Sequence, residues 1–258
     1  MLPLAPEPAR LARPSPGTRM SRSRRRPLST SPLPLLSRFA SSQDWKTRAG
    51  AENLSAPATL NSVKVSVKFL LSATSPLHFP APTVPEVAFL GRSNVGKSSL
   101  INALLGTTVA RVSSTPGRTR AINFFALSTA PNAPAKMIFA DLPGYGYAKI
   151  SKSISAEWPS FIEPYLTDRE SLALSVCLVD TNIPPQASDR MLIDFLQQHQ
   201  RPYLVVGTKA DRLSNNTLAK SIALLKREHQ IDDLVPCSVK KADGTKALWS
   251  RLLAALPS

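Results

Sequence analysis

Cysteine is nearly absent from this chain: two of its 258 residues, Cys177 and Cys237. That argues against a disulfide-stapled scaffold or a cysteine-rich metal site, and it leaves both thiols as small buried hydrophobes in core strands of a reducing compartment. Histidine is as sparse. His78, His199 and His229 lie far apart without ligand spacing and read as surface residues. No apolar run is long enough to cross a bilayer and no segment repeats, so the sequence predicts a soluble chain, a monomer with no membrane partner. Acids are few, 17 against 32 Lys and Arg, for a net charge of +15.

The shortage of acids is uneven. Residues 1–43 hold no lysine and one acid, Glu7, beside eight arginines and eight prolines. With one-sided charge and little core-forming material, this segment is expected to be disordered. Arg- and Ser-rich, acid-poor composition is the mark of an organellar transit peptide, which predicts the mitochondrial matrix, with the plastid as an alternative. The basic run Ser21 to Arg26 admits other readings, a nuclear address or an RNA-binding arm. Prolines argue against the amphipathic helix that an import receptor expects. Residues 44–84 read as a linker with a leading strand. Residues 44–258 still carry +8, which suits a polyanionic partner such as rRNA. Candidate contacts are Arg118, Arg120, Lys149, Lys152, Lys240 and Lys241, with Tyr145 and Tyr147 to stack or pack.

What the chain does contain is specific. Gly91-Arg92-Ser93-Asn94-Val95-Gly96-Lys97-Ser98 matches G-x-x-x-x-G-K-[ST], between a strand-like run (86–90) and a helical one (97–105). Such a loop curls its N–H groups around a polyphosphate at a helix N-terminus. Lys97 is placed to reach the β- and γ-phosphates, and the Ser98 hydroxyl to hold Mg²⁺. Thr208-Lys209-Ala210-Asp211 follows another apolar run. A carboxylate there faces the two donors of a guanine edge, N1–H and the amino group, whereas adenine has no N1–H.

Two elements lie between these anchors. Asp141-Leu142-Pro143-Gly144 ends an apolar run, so Asp141 can hold Mg²⁺ through water while the Gly144 N–H approaches a γ-phosphate. Gly117-Arg118-Thr119-Arg120-Ala121 precedes a strand. Thr119 there would ligate Mg²⁺ only while a γ-phosphate is present, making a switch. In this order the four elements form the set of a G domain.

The stretches Gly91 to Leu105, Ser114 to Phe125 and Asp141 to Lys149 resemble the EngB-type GTPases, bacterial ribosome-assembly proteins with organellar relatives. Trp158, Tyr165-Leu166, Arg169, Leu178 to Asp180 and Asp189 to Met191 repeat that family's spacing. The resemblance runs from about Lys68 to the C-terminus. It implies a six-stranded P-loop sheet, GTP (or GDP) and Mg²⁺ binding, and a role in maturing the large ribosomal subunit. By position it implies Ser98 and Thr119 as Mg²⁺ ligands, Gly117 to Ala121 as the switch contact and Lys209 with Asp211 as the guanine contact. Cys237-Ser238 would give the last backbone contact to the base, where similar proteins carry Ser-Ser. Asn94 resembles the potassium ligand of related GTPases; the alternative is an asparagine that only tolerates the loop's backbone angles.

The fold expected is therefore α/β: a mostly parallel sheet with helices on both faces, over 85–258. Strands are read at 63–71, 86–90, 121–127, 136–141, 172–180, 202–207 and 233–237. Helices are read at 97–105, 155–167, 186–199, 215–228 and 244–255, the last with Leu248, Leu252, Leu253 and Leu256 on one side. Tyr145 stands where Ras-like enzymes place a water-orienting glutamine, so Lys97, Thr119 and Asn94 are the remaining catalytic candidates and turnover is expected to be slow. Three classes compete: a regulated GTPase, a GTP-dependent binding module with negligible hydrolysis, and an ATP-using enzyme, against which Asp211 argues.

Overall fold

Glu86 to Gly91 is buried at every position, as a strand covered on both faces must be. It forms the centre of the sheet in the computed structural model, which describes residues 65–110, 121–145, 158, 160–241 and 244–256. The elements in order are β1 (Ser66–Ala73), β2 (Glu86–Gly91), α1 (Lys97–Leu105), β3 (Ile122–Ser128), β4 (Met137–Asp141), α2 (Ile162–Asp168) and β5 (Leu172–Asp180). They continue as α3 (Ala187–Gln198), β6 (Tyr203–Thr208), α4 (Asn215–His229), β7 (Val235–Pro236) and α5 (Lys246–Ala254). None of the described helices is long and apolar enough to cross a membrane.

The strands form one sheet in the order β1-β3-β4-β2-β5-β6-β7. Four of its pairings are parallel; β1 with β3 and β3 with β4 are antiparallel. This is the expected P-loop fold, with one correction. The resemblance implies six strands, but β1 adds a seventh at the edge, pairing Ser66 with Ser128 through Ala73 with Ile122.

Helices cover both faces. α2, α3 and α4 close one core through Ile162, Leu166, Leu192, Leu196 and Leu225. α1 and α5 close the other through Leu100, Ile101, Leu104, Leu248 and Leu252. Several readings shift at element ends. α2 is described over Ile162–Asp168, against the reading of 155–167, of which 155–157 and 159 lie outside the described residues. β7 has two residues, since Pro236 has no N–H for the ladder. Leu253 is exposed, one step around α5 from the buried Leu248 and Leu252. His229 is also a correction: it is 1 % exposed, in the last turn of α4, while His78 and His199 are at the surface as read. Cys177 and Cys237 are free and buried.

At the amino end of β2, the buried Glu86 carboxylate accepts from Tyr165 Oη at 2.8 Å, Ser171 Oγ at 2.9 Å and the Arg169 guanidinium. A charge in that position is tolerable only when fully paired. The spacing of Tyr165 and Arg169 thus serves a staple at the end of the sheet opposite the cleft.

Candidate nucleotide site

The carboxyl ends of β2, β4, β5 and β6 deliver Gly91, Asp141, Asp180 and Thr208 to one edge of the sheet. Ligands of open parallel sheets bind at such an edge. Between β2 and α1 the chain turns through left-handed backbone at Asn94 (φ +65°) and Gly96 (φ +107°). Gly96 suits the second of these, since φ values near +107° are open chiefly to glycine. The loop then enters α1 at Lys97, where the first N–H groups have no carbonyl within the helix to bond.

Lys97 Nζ donates to the Asp141 carboxylate. The phosphate-seeking cation and the acid placed for Mg²⁺ thus face each other across the cleft, and Ser98 follows on the half-buried first turn of α1. Among the described residues no group of three His, Cys, Asp or Glu side chains is arranged to hold a metal. The donor set fits a Mg²⁺–polyphosphate, with Lys97 and the loop N–H groups on the phosphates and Ser98 on the ion.

The base side is described throughout. Thr208 Oγ donates to the Val95 carbonyl at 2.7 Å, and Lys209 Nζ to the Asn94 carbonyl at 2.9 Å, so this segment grips the phosphate loop. Lys209 is itself left-handed (φ +59°). Its ammonium also bonds Asp180 Oδ2 at 2.6 Å, and Asn182 Nδ2 braces the Lys209 carbonyl at 3.0 Å. Burial raises the Asp180 carboxyl, but hydrogen bonds from Lys209 and Asn182 outweigh it and hold the group below its ordinary range. Asp211 accepts from Ser238 Oγ at 2.8 Å, and that bond likewise holds it low and ionised. Ala210 N donates to the Cys237 carbonyl at 3.2 Å, tying the loop after β7 to this segment. Burial pushes the Cys237 thiol up to about 11. Gly96, Thr208, Lys209, Asp211, Cys237 and Lys240 line a cleft beside the phosphate loop.

On the opposite side, Leu142 and Pro143 are buried and lead to Gly144, which packs against the phosphate loop. A Cβ on Gly144 would sit 3.0 Å from Ser93 Oγ. Tyr145 is buried, with its hydroxyl on Asp189 Oδ1 at 3.1 Å. It therefore packs inside the molecule and is not a surface aromatic for RNA. Asp189 also accepts from Arg92 Nε at 3.0 Å. Burial lifts the Asp189 carboxyl to about 6 despite that cation.

The site thus gathers Gly91 to Ser98, Asp141 to Gly144, Thr208 to Asp211 and Cys237-Ser238, and Ala121 stands just before β3. Gly117, Arg118, Thr119 and Arg120 lie outside the described residues, as do Lys149, Tyr147, Lys152 and the segment 1–43; Lys240 and Lys241 are exposed. Sequence reasoning gave no role to Asp180 and Asn182, which position Lys209, or to Asp189. For Asp180 the signal was an acid closing the apolar run of β5, as Asp141 closes that of β4.

A family described as 50S ribosome-binding GTPase matches residues 86–209. The chain is 62% identical over 191 residues to a "Probable GTP-binding protein EngB" of Acidobacterium capsulatum, spanning 74% of this chain and 90% of that protein. A protein of the same name from Koribacter versatilis is 50% identical over 75% of this chain and 95% of its own. Among solved structures, Era in complex with MgGDPNP and nucleotides 1506–1542 of 16S ribosomal RNA superposes with a TM-score of 0.55 at 28% identity. That match covers 68% of this chain but only 57% of the Era chain. A crystal structure of a probable GTP-binding protein engB gives 0.51 at 25% identity, covering 66% of this chain and 97% of that one. With the phosphate loop, the D-x-x-G turn and the T-K-x-D segment on one edge of the sheet, and identity of this extent, the chain belongs to the EngB family of GTP-binding proteins.

Proposed function

We propose that this chain is a slow GTPase that drives or checks assembly of the ribosomal large subunit. The observation that carries the reading is Tyr145. It follows the D-x-x-G glycine, where a water-orienting side chain is needed, and its hydroxyl is engaged by Asp189. Asp211 takes both guanine donors, and Lys97 and the loop N–H groups bind the phosphates; Ser98 and Thr119 would hold Mg²⁺, which would supply positive charge for the phosphoryl oxygens. Without a residue to aim the water, basal turnover is on the order of 10⁻⁴ to 10⁻² s⁻¹ and acceleration comes from the partner. The name of the matched family and the basic charge balance of the chain support the ribosome as that partner.

Single-turnover hydrolysis with large subunits, small subunits or neither tests this. Large subunits alone should accelerate it. Equal rates in all three would leave a GTP-dependent binding module with negligible hydrolysis. Asn94 bears on the rate as well. If it holds K⁺ beside the phosphates, K⁺ but not Na⁺ speeds turnover at matched ionic strength, and Asn94→Ala removes the difference. The left-handed backbone at Asn94 supports the plainer reading, and equal rates in both salts would leave only that.

The division into 1–43, 44–84 and 85–258, and a monomeric state, belong to the same proposal. The front segment carries two readings. Targeting to the mitochondrial matrix rests on its Arg-rich, acid-poor composition. An RNA-binding arm is favoured by the bacterial source of the relatives above. Residues 1–45 fused to a fluorescent protein and expressed in a eukaryotic cell should reach mitochondria under the first reading. RNA affinity lost on deleting residues 1–43 supports the second.

A further inference from the structure

The phosphate loop is held from two directions. Its second half, Asn94 to Gly96, hangs from Thr208 and Lys209. Its first half is zipped to the segment that follows β4: Ser93 N donates to the Tyr145 carbonyl at 3.1 Å, and Tyr145 N to the Gly91 carbonyl at 3.4 Å. Arg92 and Tyr145 form a parallel bridge there. Both side chains then converge on one carboxylate from α3. Arg92 Nε lies 3.0 and 3.2 Å from the two oxygens of Asp189, and Tyr145 Oη lies 3.1 Å from the first. Asp189 is 2 % exposed and Tyr145 2 %.

Resting on the GTP-binding reading, we propose that Asp189 is a positioning residue for the γ-phosphate end of the cleft. By holding Arg92 and Tyr145 it fixes Gly144, which precedes the Tyr145 backbone bonded to Ser93 and Gly91 and has little room for a Cβ beside Ser93. The Gly144 N–H is the group aimed at a γ-phosphate, so the grip sets the preference for GTP over GDP rather than affinity for guanine nucleotides in general. The diphosphate-binding half of the loop is anchored separately through Val95 and Thr208 and does not depend on Asp189. The same grip keeps the Tyr145 hydroxyl away from the reacting phosphate, so Asp189 acts through its neighbours and is not itself catalytic.

The test measures affinity for GDP and for a non-hydrolysable GTP analogue, in Mg²⁺, by displacement of a fluorescent GDP from the full chain. Asp189→Asn should weaken the analogue about tenfold and GDP less than about twofold. Tyr145→Phe removes only the hydroxyl and should weaken the analogue about threefold, again with GDP nearly unchanged. Equal weakening of both nucleotides, or no change in either, overturns the inference. If Asp189→Asn does not fold, Tyr145→Phe alone decides by the same ratio. A wild type that binds neither nucleotide defeats the GTP reading itself, whereas tight wild-type binding with an unmoved ratio defeats only the role of Asp189.

Discussion

The base side and the γ-phosphate side of the cleft are built on different principles. On the base side, Thr208, Lys209 and Asp211 each have a fixed partner on a neighbouring strand or loop: Val95, Asp180 and Ser238. On the γ-phosphate side, Lys97 and Asp141 are partnered with each other, and both are groups a Mg²⁺–nucleotide would engage. Gly144 offers only backbone. The base side is therefore preorganised before ligand arrives, and the phosphate side must trade one ion pair for another. This predicts that the base side sets which nucleotide binds, while the phosphate side sets how tightly and in which state.

The largest effect should come from the phosphate side. Lys97→Ala removes the phosphate cation, and affinity for both GTP and GDP should fall about a thousandfold in equilibrium titration, with circular dichroism unchanged. Ser98→Ala should abolish the Mg²⁺ dependence of binding. Normal Mg²⁺–GTP affinity in that variant would show that the loop's register is misassigned. Next comes the base side. Asp211→Asn should cost about a hundredfold in GTP affinity and admit xanthosine nucleotides, whose edge carries an acceptor where guanine carries its amino group. The comparison fails if the wild type binds ATP and GTP equally, or if Asp211→Asn spares GDP.

A smaller effect tests whether preorganisation matters at all. Asp180→Ala leaves Lys209 Nζ with only the Asn94 carbonyl, and Lys209 must then be ordered by the ligand itself. GTP and GDP should both weaken about tenfold, with the guanine preference kept because Asp211 and Ser238 are untouched. Unchanged affinity would mean that the ion pair holds nothing the nucleotide needs.

How far these two sides were legible in the sequence follows from the range of the contacts. Phosphate chemistry fixes residues within one turn of chain, so Gly91 to Ser98 and Asp141 to Gly144 could be read from spacing, as could α1, whose bounds match the reading. The run of β5 was read to the residue, because an apolar stretch interrupted only by Ser175 and closed by Asp180 permits little else. Side-chain partners are another matter. Asp180 meets Lys209 across 29 residues and Arg92 meets Asp189 across 97, and local periodicity carries no signal of either. β1 was read as a strand, but its place as a seventh, antiparallel edge depends on β3, 51 residues on at the Ser72–Asn123 contact. His229 was read as a surface residue from its lack of ligand spacing, which carries no information on burial; here it lies near Arg190 and Asp194 of α3.

The smallest effect concerns acid stability, where Asp189 and His229 oppose each other. Burial raises the Asp189 carboxyl to about 6, above its value in an unfolded chain. Its contribution is full below that unfolded value and is lost as pH rises through 6, so acidification from pH 7 to 5 adds about 1 kcal/mol. Burial lowers the His229 imidazole, and nearby Arg190 lowers it further, while neither ring nitrogen has a hydrogen-bond partner. Its contribution is full above the ordinary histidine range and is lost as pH falls. Over that interval the two act in opposite directions, and urea midpoints between pH 7 and 5 read their difference. Asp189→Asn removes the gain and should steepen the acid loss by about 1 kcal/mol. His229→Leu removes the titrating ring and should turn the slope the other way, so that stability rises on acidification. If both variants kept the wild-type slope, neither buried group would titrate between pH 5 and 7, and the shift assigned to Asp189 would be wrong.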